Sequence, residues 1–251
     1  MKINNQNIDK IEYYSASDQG LIVSFAAFSE EDAIVLSRRL GEMLRAEPPL
    51  GLRDVIPGMN NVLINYDCLL TSQQRLKDET KGHLLGLDTA SSYQRRHWRL
   101  PVCYGGVYGE DLPDVATRCG LSEDEVIARH TSHPLTVAIM GFLPGLAYMK
   151  GVDDALYLPR RSSPRQYVPA LSLGIAMDQT VIYPLASPGG WNLIGRVPVR
   201  PFDSQRDDPV LFRAGDDVTF YAVDEGEFLR LDAAASAGEA IVTPELISGD
   251  L

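Results

Sequence analysis

Between Gly141 and Pro198 the chain places seven glycines and seven prolines in 58 residues, yet the same stretch holds Phe142, Tyr148, Tyr167, Tyr183 and Trp191. Disordered linkers rich in Gly and Pro are poor in large apolar groups, so these breakers punctuate something folded. Between them lie short β-like runs, among them Leu171–Ala176 and Thr180–Tyr183. Helical periodicity disappears after His133-Pro134, and short strands separated by turns continue to about Val223. That pattern predicts a closed or nearly closed β-barrel. The stretch is also locally basic: from Gly141 to Arg200, Lys150, Arg160, Arg161, Arg165, Arg196 and Arg200 stand against Asp153, Asp154 and Asp178, a balance of +3 in a chain of formal charge −11. A patch opposite in sign to its surroundings is a place to seat an anionic group.

With 251 residues, 45% of them hydrophobic, the chain can bury one large core or two smaller ones without disulfide or metal staples. The acid excess argues against a nucleic-acid or anionic-membrane surface, and from Pro201 to Leu251 twelve acids face three arginines. The first residues have no apolar core of signal-peptide length, and no run approaches the ~20 apolar residues of a membrane span. A cytoplasmic location is expected. Cys68, Cys103 and Cys119 are odd in number and widely spaced, which fits reduced thiols.

The first ninety residues read as ββαββα. Glu12–Tyr14 and Leu21–Phe25 flank a turn; a helix starts at Ser29, presents Ala33, Leu36, Leu40, Met43 and Leu44 on one face, and stops at Pro48-Pro49. Val55-Ile56 and Val62–Tyr66 follow, then a helix from Ser72 to Leu85. This predicts a small α+β domain over 1–90. The polar stretch Leu87–Arg99 reads as a linker, and a second domain is expected over 98–232, opened by two short helices at Asp111–Cys119 and Ser122–His130. An acidic, peripheral tail over 233–251 completes the division.

Several motifs carry less than they first suggest. The spacing of Ala116, Gly120 and Val126 is that of a helix-turn-helix, but its second helix would present Glu123, Asp124 and Glu125 to phosphates. His130 and His133 stand three apart without a carboxylate or cysteine to complete a metal site, so no metal is expected. His130 either ends its helix or lines the neighbouring pocket. The glycines of Tyr104–Gly109 belong to no GxxxxGK[ST] loop, so any ATP chemistry must use another geometry or another subunit. Three elements remain: Gly141–Gly145, Pro159–Arg165 and Ser187–Arg196, in which Pro and Gly fix the backbone while large or cationic side chains are held out.

At these residues the chain resembles the family that includes allophanate hydrolase subunit 1, the B subunit of the prokaryotic ATP-dependent 5-oxoprolinase and the Kip-type sporulation kinase inhibitor. The resemblance runs from Asp54–Pro57 and Tyr66-Asp67 through Tyr104–Gly106, Tyr108–Leu112, Gly120–Ser122, Glu125–Ile127 and His130, and is densest from Gly141 to Asp203. It implies a small N-terminal α+β domain followed by a cyclophilin-like closed β-barrel with short helices. It also implies a sister subunit of the allophanate hydrolase subunit 2 type, a third oxoprolinase subunit, and ATP-coupled opening of 5-oxoproline to glutamate, with ATP bound by or shared with a partner. The chain departs from the family pattern at Val107, Leu146, Ala147 and Leu171, where a glutamate, an aromatic, a proline and a glycine are usual.

The expected site follows. Arg160, Arg161 and Arg165 would steer or clamp a carboxylate or phosphate, and the Gly189-Gly190 turn would offer backbone donors to a developing oxyanion. Phe142, Tyr148 and Trp191 would wall the pocket, with Pro144, Gly145, Gln179, Tyr183, Ser187 and Arg196 around it, and His130 would transfer a proton. The rival readings are a regulatory inhibitor docking on a sensor histidine kinase, and a carboxyltransferase-type component of a urea carboxylase system.

Overall fold

A computed structural model of the chain describes residues 1–88 and 93–249. Two compact units divide it, one over Met1–Tyr93 together with the end of the chain from Ser248, the other over Gln94–Ile247. In the first, β1 (Glu12–Ser17), β2 (Gly20–Ser24), α1 (Glu30–Ala46), β3 (Leu52–Pro57), β4 (Asn61–Tyr66) and α2 (Gln73–Leu84) follow in the expected order. The sheet is antiparallel, ordered β1-β2-β4-β3. Both helices start where a serine hydroxyl accepts an otherwise unpaired backbone N–H, Ser29 from Asp32 and Ser72 from Arg75. Ala33, Leu36, Leu40 and Leu44 of α1 and Leu76 and Leu84 of α2 bury against Leu21, Val23, Val55, Val62 and Ile64.

The second unit holds β5 (Tyr93–Tyr104), α3 (Leu112–Cys119), α4 (Glu123–His130), β6 (Leu135–Met140), β7 (Ala147–Lys150), β8 (Arg165–Val168), β9 (Ser172–Ala176), β10 (Gln179–Ile182), β11 (Ser187–Gly189), β12 (Asn192–Arg196), β13 (Asp217–Ala222), α5 (Glu225–Ser236) and β14 (Glu245–Gly249). Seven strands run β12-β9-β10-β7-β6-β13-β5, and β12 pairs back onto β5 through Gly195 opposite Tyr104 and Arg196 opposite Cys103. The barrel is thereby closed, leaving β14 beside β5 and a separate two-stranded ribbon of β8 and β11. Inward side chains such as Leu100, Val102, Val137, Ile175 and Phe220 fill it, joined by Leu112, Val115 and Val126 of α3 and α4. Gly120 ends α3 in the left-handed region (φ 68), and a reciprocal Ser122–Glu125 capping box starts α4.

The polar stretch read as a linker lies partly outside the described residues, and from Tyr93 onward it is strand rather than linker. Its charges are paired across the sheet: the Arg96 guanidinium grips the buried Asp216 carboxylate at 2.6 and 3.0 Å, Trp98 Nε1 donates to the same carboxylate at 2.9 Å, and Arg95 lies 3.3 Å from Asp217. Where a peripheral tail was expected, α5 reaches Ser236 and β14 adds a strand. Among the described residues no helix is long and apolar enough to cross a membrane.

The loop entering α3 is laid directly on β12: Gly105 N–H donates to the Ile194 carbonyl at 3.0 Å and Asp111 N–H to that of Leu193 at 2.9 Å. A methyl group at Gly109 would fall on the Ile194 carbonyl, and backbone has no rotamer with which to yield. Gly109→Ala is therefore expected to cost about 1–3 kcal/mol, the range for overpacking, read as a lowered urea midpoint with an unchanged slope.

Candidate functional site

The hairpin joining β6 to β7 closes through Leu146 N–H donating to Leu143 O at 3.0 Å and Gly141 N–H donating to Leu146 O at 3.1 Å. Within it Phe142 is held at φ 71, a left-handed conformation that costs a non-glycine residue about 1 kcal/mol or more, and its ring is 73% exposed. Such a conformation persists only when the surroundings impose it. Here Gly145 (φ 79) abuts the Pro201 carbonyl and Phe202, leaving no room for a side chain, so the Pro144-Gly145 turn is fixed against the next segment.

Beneath this hairpin lies a cleft of about 110 Å³. Leu146, Val181 and Tyr183 form its floor, Tyr148 and Trp191 one wall, Phe142 and Pro188 its rim, and the Gly189-Gly190 turn its far side. The indole of Trp191, 5% exposed, packs at the edge of a cluster containing Leu146, Val168, Ala176, Val181 and Leu193, with the Tyr148 ring centroid 6.0 Å away. Gly189 lies flat on Tyr183; a Cβ there would coincide with the phenol hydroxyl. Burial pushes the Tyr183 hydroxyl up to about 12, with the Trp191 backbone N–H and the nearby Arg160 pulling the other way. The phenol is thus neutral at physiological pH and available as a hydrogen-bond donor.

Arg160 enters the same cleft, its guanidinium 5.0 Å from the Trp191 ring centroid. Among the described residues no carboxylate pairs with it, whereas the other expected arginines are engaged. Arg161 Nη1 and Arg165 Nη2 both donate to Asp111 Oδ1, at 2.9 and 2.6 Å, and Arg165 also pairs with Glu110 at 2.9 Å. Arg196 stacks over Tyr108 at 5.6 Å. The expected three-arginine clamp thus reduces to one cation in the cleft with two structural neighbours. Gln179 pairs opposite Lys150 and Ala176 in the barrel wall, and Ser187 opposite Val168 in the ribbon; neither lines the cleft.

His130 lies inside the barrel, away from the cleft lining. It is 2% exposed, with Nδ1 2.7 Å from Tyr104 Oη, Nε2 2.9 Å from Thr180 Oγ1, and its ring stacked on Phe220. Burial lowers its pKa to about 3, with a smaller push from His133. A residue with both nitrogens engaged inside the barrel is not placed to move a proton in the cleft. Sequence reasoning also missed Val181 and Pro188 as cleft residues, and above all Asp111, whose sequence signal was only its place before α3. Leu171, where the family pattern has glycine, is held at φ 66 by its N–H donating to Tyr183 O at 2.6 Å and its carbonyl accepting from Val197 at 3.0 Å.

The second unit is thus a closed barrel carrying a cleft lined by a stacked Arg–Trp pair and two Gly/Pro turns. Residues 11–212 match the family model of the carboxyltransferase domain, subdomain C and D, and the chain belongs to that family. It is 42% identical to the B subunit of 5-oxoprolinase from Escherichia coli O157:H7, over 69% of this chain and 79% of the relative. The crystal structure of TTHA0988 is 38% identical and superposes with a TM-score of 0.74, covering 82% of this chain but only 40% of that one. The Kluyveromyces lactis urea carboxylase shares the fold at a TM-score of 0.74 and 19% identity, covering 96% of this chain and 24% of that one. The chain is therefore a homologue of a hydrolase subunit.

Proposed function

We propose that this chain is one component of a multi-subunit, ATP-dependent lactam hydrolase that opens 5-oxoproline to glutamate. The observation that carries this reading is the Arg160 guanidinium, without a carboxylate partner among the described residues, at the mouth of a small aromatic-walled cleft. A carboxylate on a five-membered ring needs those two things: a bidentate cation and a flat apolar surface for the ring. The Escherichia coli relative is named for the same substrate class.

The cleft does not fit ATP. It offers one cation and a volume of about 110 Å³, well below that of typical drug-sized sites. The nucleotide is assigned to a partner, and no step is routed through it in this chain. Nor does the cleft hold a carboxylate, histidine or thiol among its lining residues; its titratable side chains are Arg160, Tyr148 and Tyr183. This chain's own work is to bind the carboxylate through Arg160, to hold the ring against Trp191 and Tyr148, and to donate a hydrogen bond from neutral Tyr183 to the lactam oxygen as charge gathers there. Water activation comes from a sister subunit of the allophanate hydrolase subunit 2 type docking over the exposed Phe142, with a third oxoprolinase subunit completing the assembly. The whole is placed in the cytoplasm.

The test is reconstitution. Glutamate formation from 5-oxoproline is expected only when this chain, its co-purified partners and ATP are present together; formation that proceeds unchanged without this chain contradicts the reading.

A further inference from the structure

We propose that Asp111 is a positioning residue for the cleft: its buried carboxylate locks the Pro159–Arg165 loop to β12 and thereby sets Arg160 against Trp191. The proposal rests on the reading of the cleft as the 5-oxoproline site. Asp111 stands at the N-cap of α3, where an aspartate ordinarily accepts a hydrogen bond from its own helix, yet its side chain makes no such bond. It is 4% exposed and turned the other way. Oδ2 accepts from Leu193 N–H at 2.6 Å, while Oδ1 accepts from both Arg161 and Arg165. A local rule broken by a buried charge is compensated by something outside the helix, and here that is the arginine loop.

The loop is tied down on both sides of Arg160. On one side Asn192 Nδ2 donates to the Pro159 carbonyl at 3.2 Å, and Asn192 is itself fully buried and held by a contact from Arg118 at 3.3 Å. On the other, Arg161 N–H donates to the Gly190 carbonyl at 2.7 Å, so the residue whose side chain Asp111 grips also fixes the turn that leads into Trp191. Arg160 is the only residue between these two anchors. Its side chain lies in the cleft with no carboxylate partner among the described residues, so its placement over the indole depends on the backbone that Asp111 and Asn192 hold. The carboxylate accepts on both sides at once, from the two arginines on Oδ1 and from Leu193 N–H on Oδ2, which an uncharged amide of the same shape cannot reproduce because it has a single acceptor oxygen.

Asp111→Asn tests this in the assembled complex with its partner subunits and ATP, assayed on 5-oxoproline. The amide oxygen can still accept from one side, the two arginines or Leu193 N–H, and Arg161 and Arg165 are partly exposed, with Glu110 still available to Arg165, so the cations are not stranded. The expected result is a KM for 5-oxoproline raised about tenfold or more with kcat changed less than about threefold, the signature of lost ground-state binding geometry. Arg161→Gln, which removes one arm of the same lock from a partly exposed site, should raise KM in the same direction. A purely structural role would lower the yield of active enzyme and its melting temperature at unchanged KM, and that outcome in both variants overturns the proposal. Arg160→Ala separates the two levels of the argument. If it leaves KM unchanged, the cleft reading itself fails; if it raises KM while Asp111→Asn and Arg161→Gln do not, only the positioning role fails.

Discussion

Replacing Arg160 by alanine is expected to weaken 5-oxoproline binding about 10- to 100-fold while leaving the fold intact. A hydrogen bond to a charged partner contributes about 1.5–3 kcal/mol, which is the size of that change. The side chain can be removed at little structural cost because it sits on the surface of the cleft, stacked on Trp191 rather than locked into an ion pair. The intramolecular interaction lost is the cation–π contact, worth about 0.5–1 kcal/mol at an exposed site. Arg160→Lys separates charge from shape: a lysine keeps the charge but neither the planar fork nor the stacking on the indole, so it should recover part of the loss and no more. Apparent affinity measured from substrate dependence of the complex, with a thermal melt of the isolated variant, checks both halves of the expectation.

The second large effect is on stability and involves no ligand. Between pH 6.5 and 4.5 the barrel should lose about 2–3 kcal/mol through His130 alone. Burial depresses its folded pKa to about 3 from the ordinary value of 6.5, so on acidification the unfolded chain takes up a proton that the folded chain refuses. The stabilisation is complete above 6.5 and falls by about 1.4 kcal/mol per pH unit until the folded value is reached. Carboxylates with lowered pKa values, such as Asp153 and Asp208, act in the same direction but at lower pH, since their unfolded value is 3.8. Urea unfolding at pH 7 and 4.5 should therefore show a steep loss in the native protein and a much shallower one in His130→Gln, which carries no proton to refuse. Equal losses in the two proteins would place His130 elsewhere than the core.

What could be read from the chain follows the distance over which its interactions act. The starts of α1, α2 and α4 were legible because Ser29, Ser72 and Ser122 satisfy backbone donors three residues away. The barrel was legible from the spacing of its breakers. The start of β5 was not, because Arg95 and Arg96 read as solvated charges until Asp216 and Asp217, some 120 residues later, arrive beside them. The site divided in the same way. Phe142, Tyr148, Arg160, Gly189, Gly190 and Trp191 were found by local chemistry and do share one cleft. The fate of Arg161 and Arg165 could not be found, since Asp111 lies 50 and 54 positions from them. His130 is the converse case: a polar residue at a helix end whose partners, Tyr104 and Thr180, lie on distant strands that enclose it.

The exposure of Phe142 bears on assembly. A large apolar ring held out in a strained backbone at the rim of a cleft that lacks a base is stable only if the surrounding turn over-determines it, and it gains most when another surface covers it. The departures at Leu146 and Ala147 fall in the same hairpin. Both are buried, so the smaller side chain at 146 shapes the cleft floor rather than the barrel.

The most direct measurement is a crystal structure of this chain, with its partner subunits, grown in the presence of 5-oxoproline. Expected are the carboxylate on the Arg160 guanidinium, the ring against the wall that Tyr148 and Trp191 form, and the lactam oxygen within hydrogen-bond reach of Tyr183. A ligand bound by the partner alone, with this cleft empty and Arg160 turned to solvent, would contradict that placement.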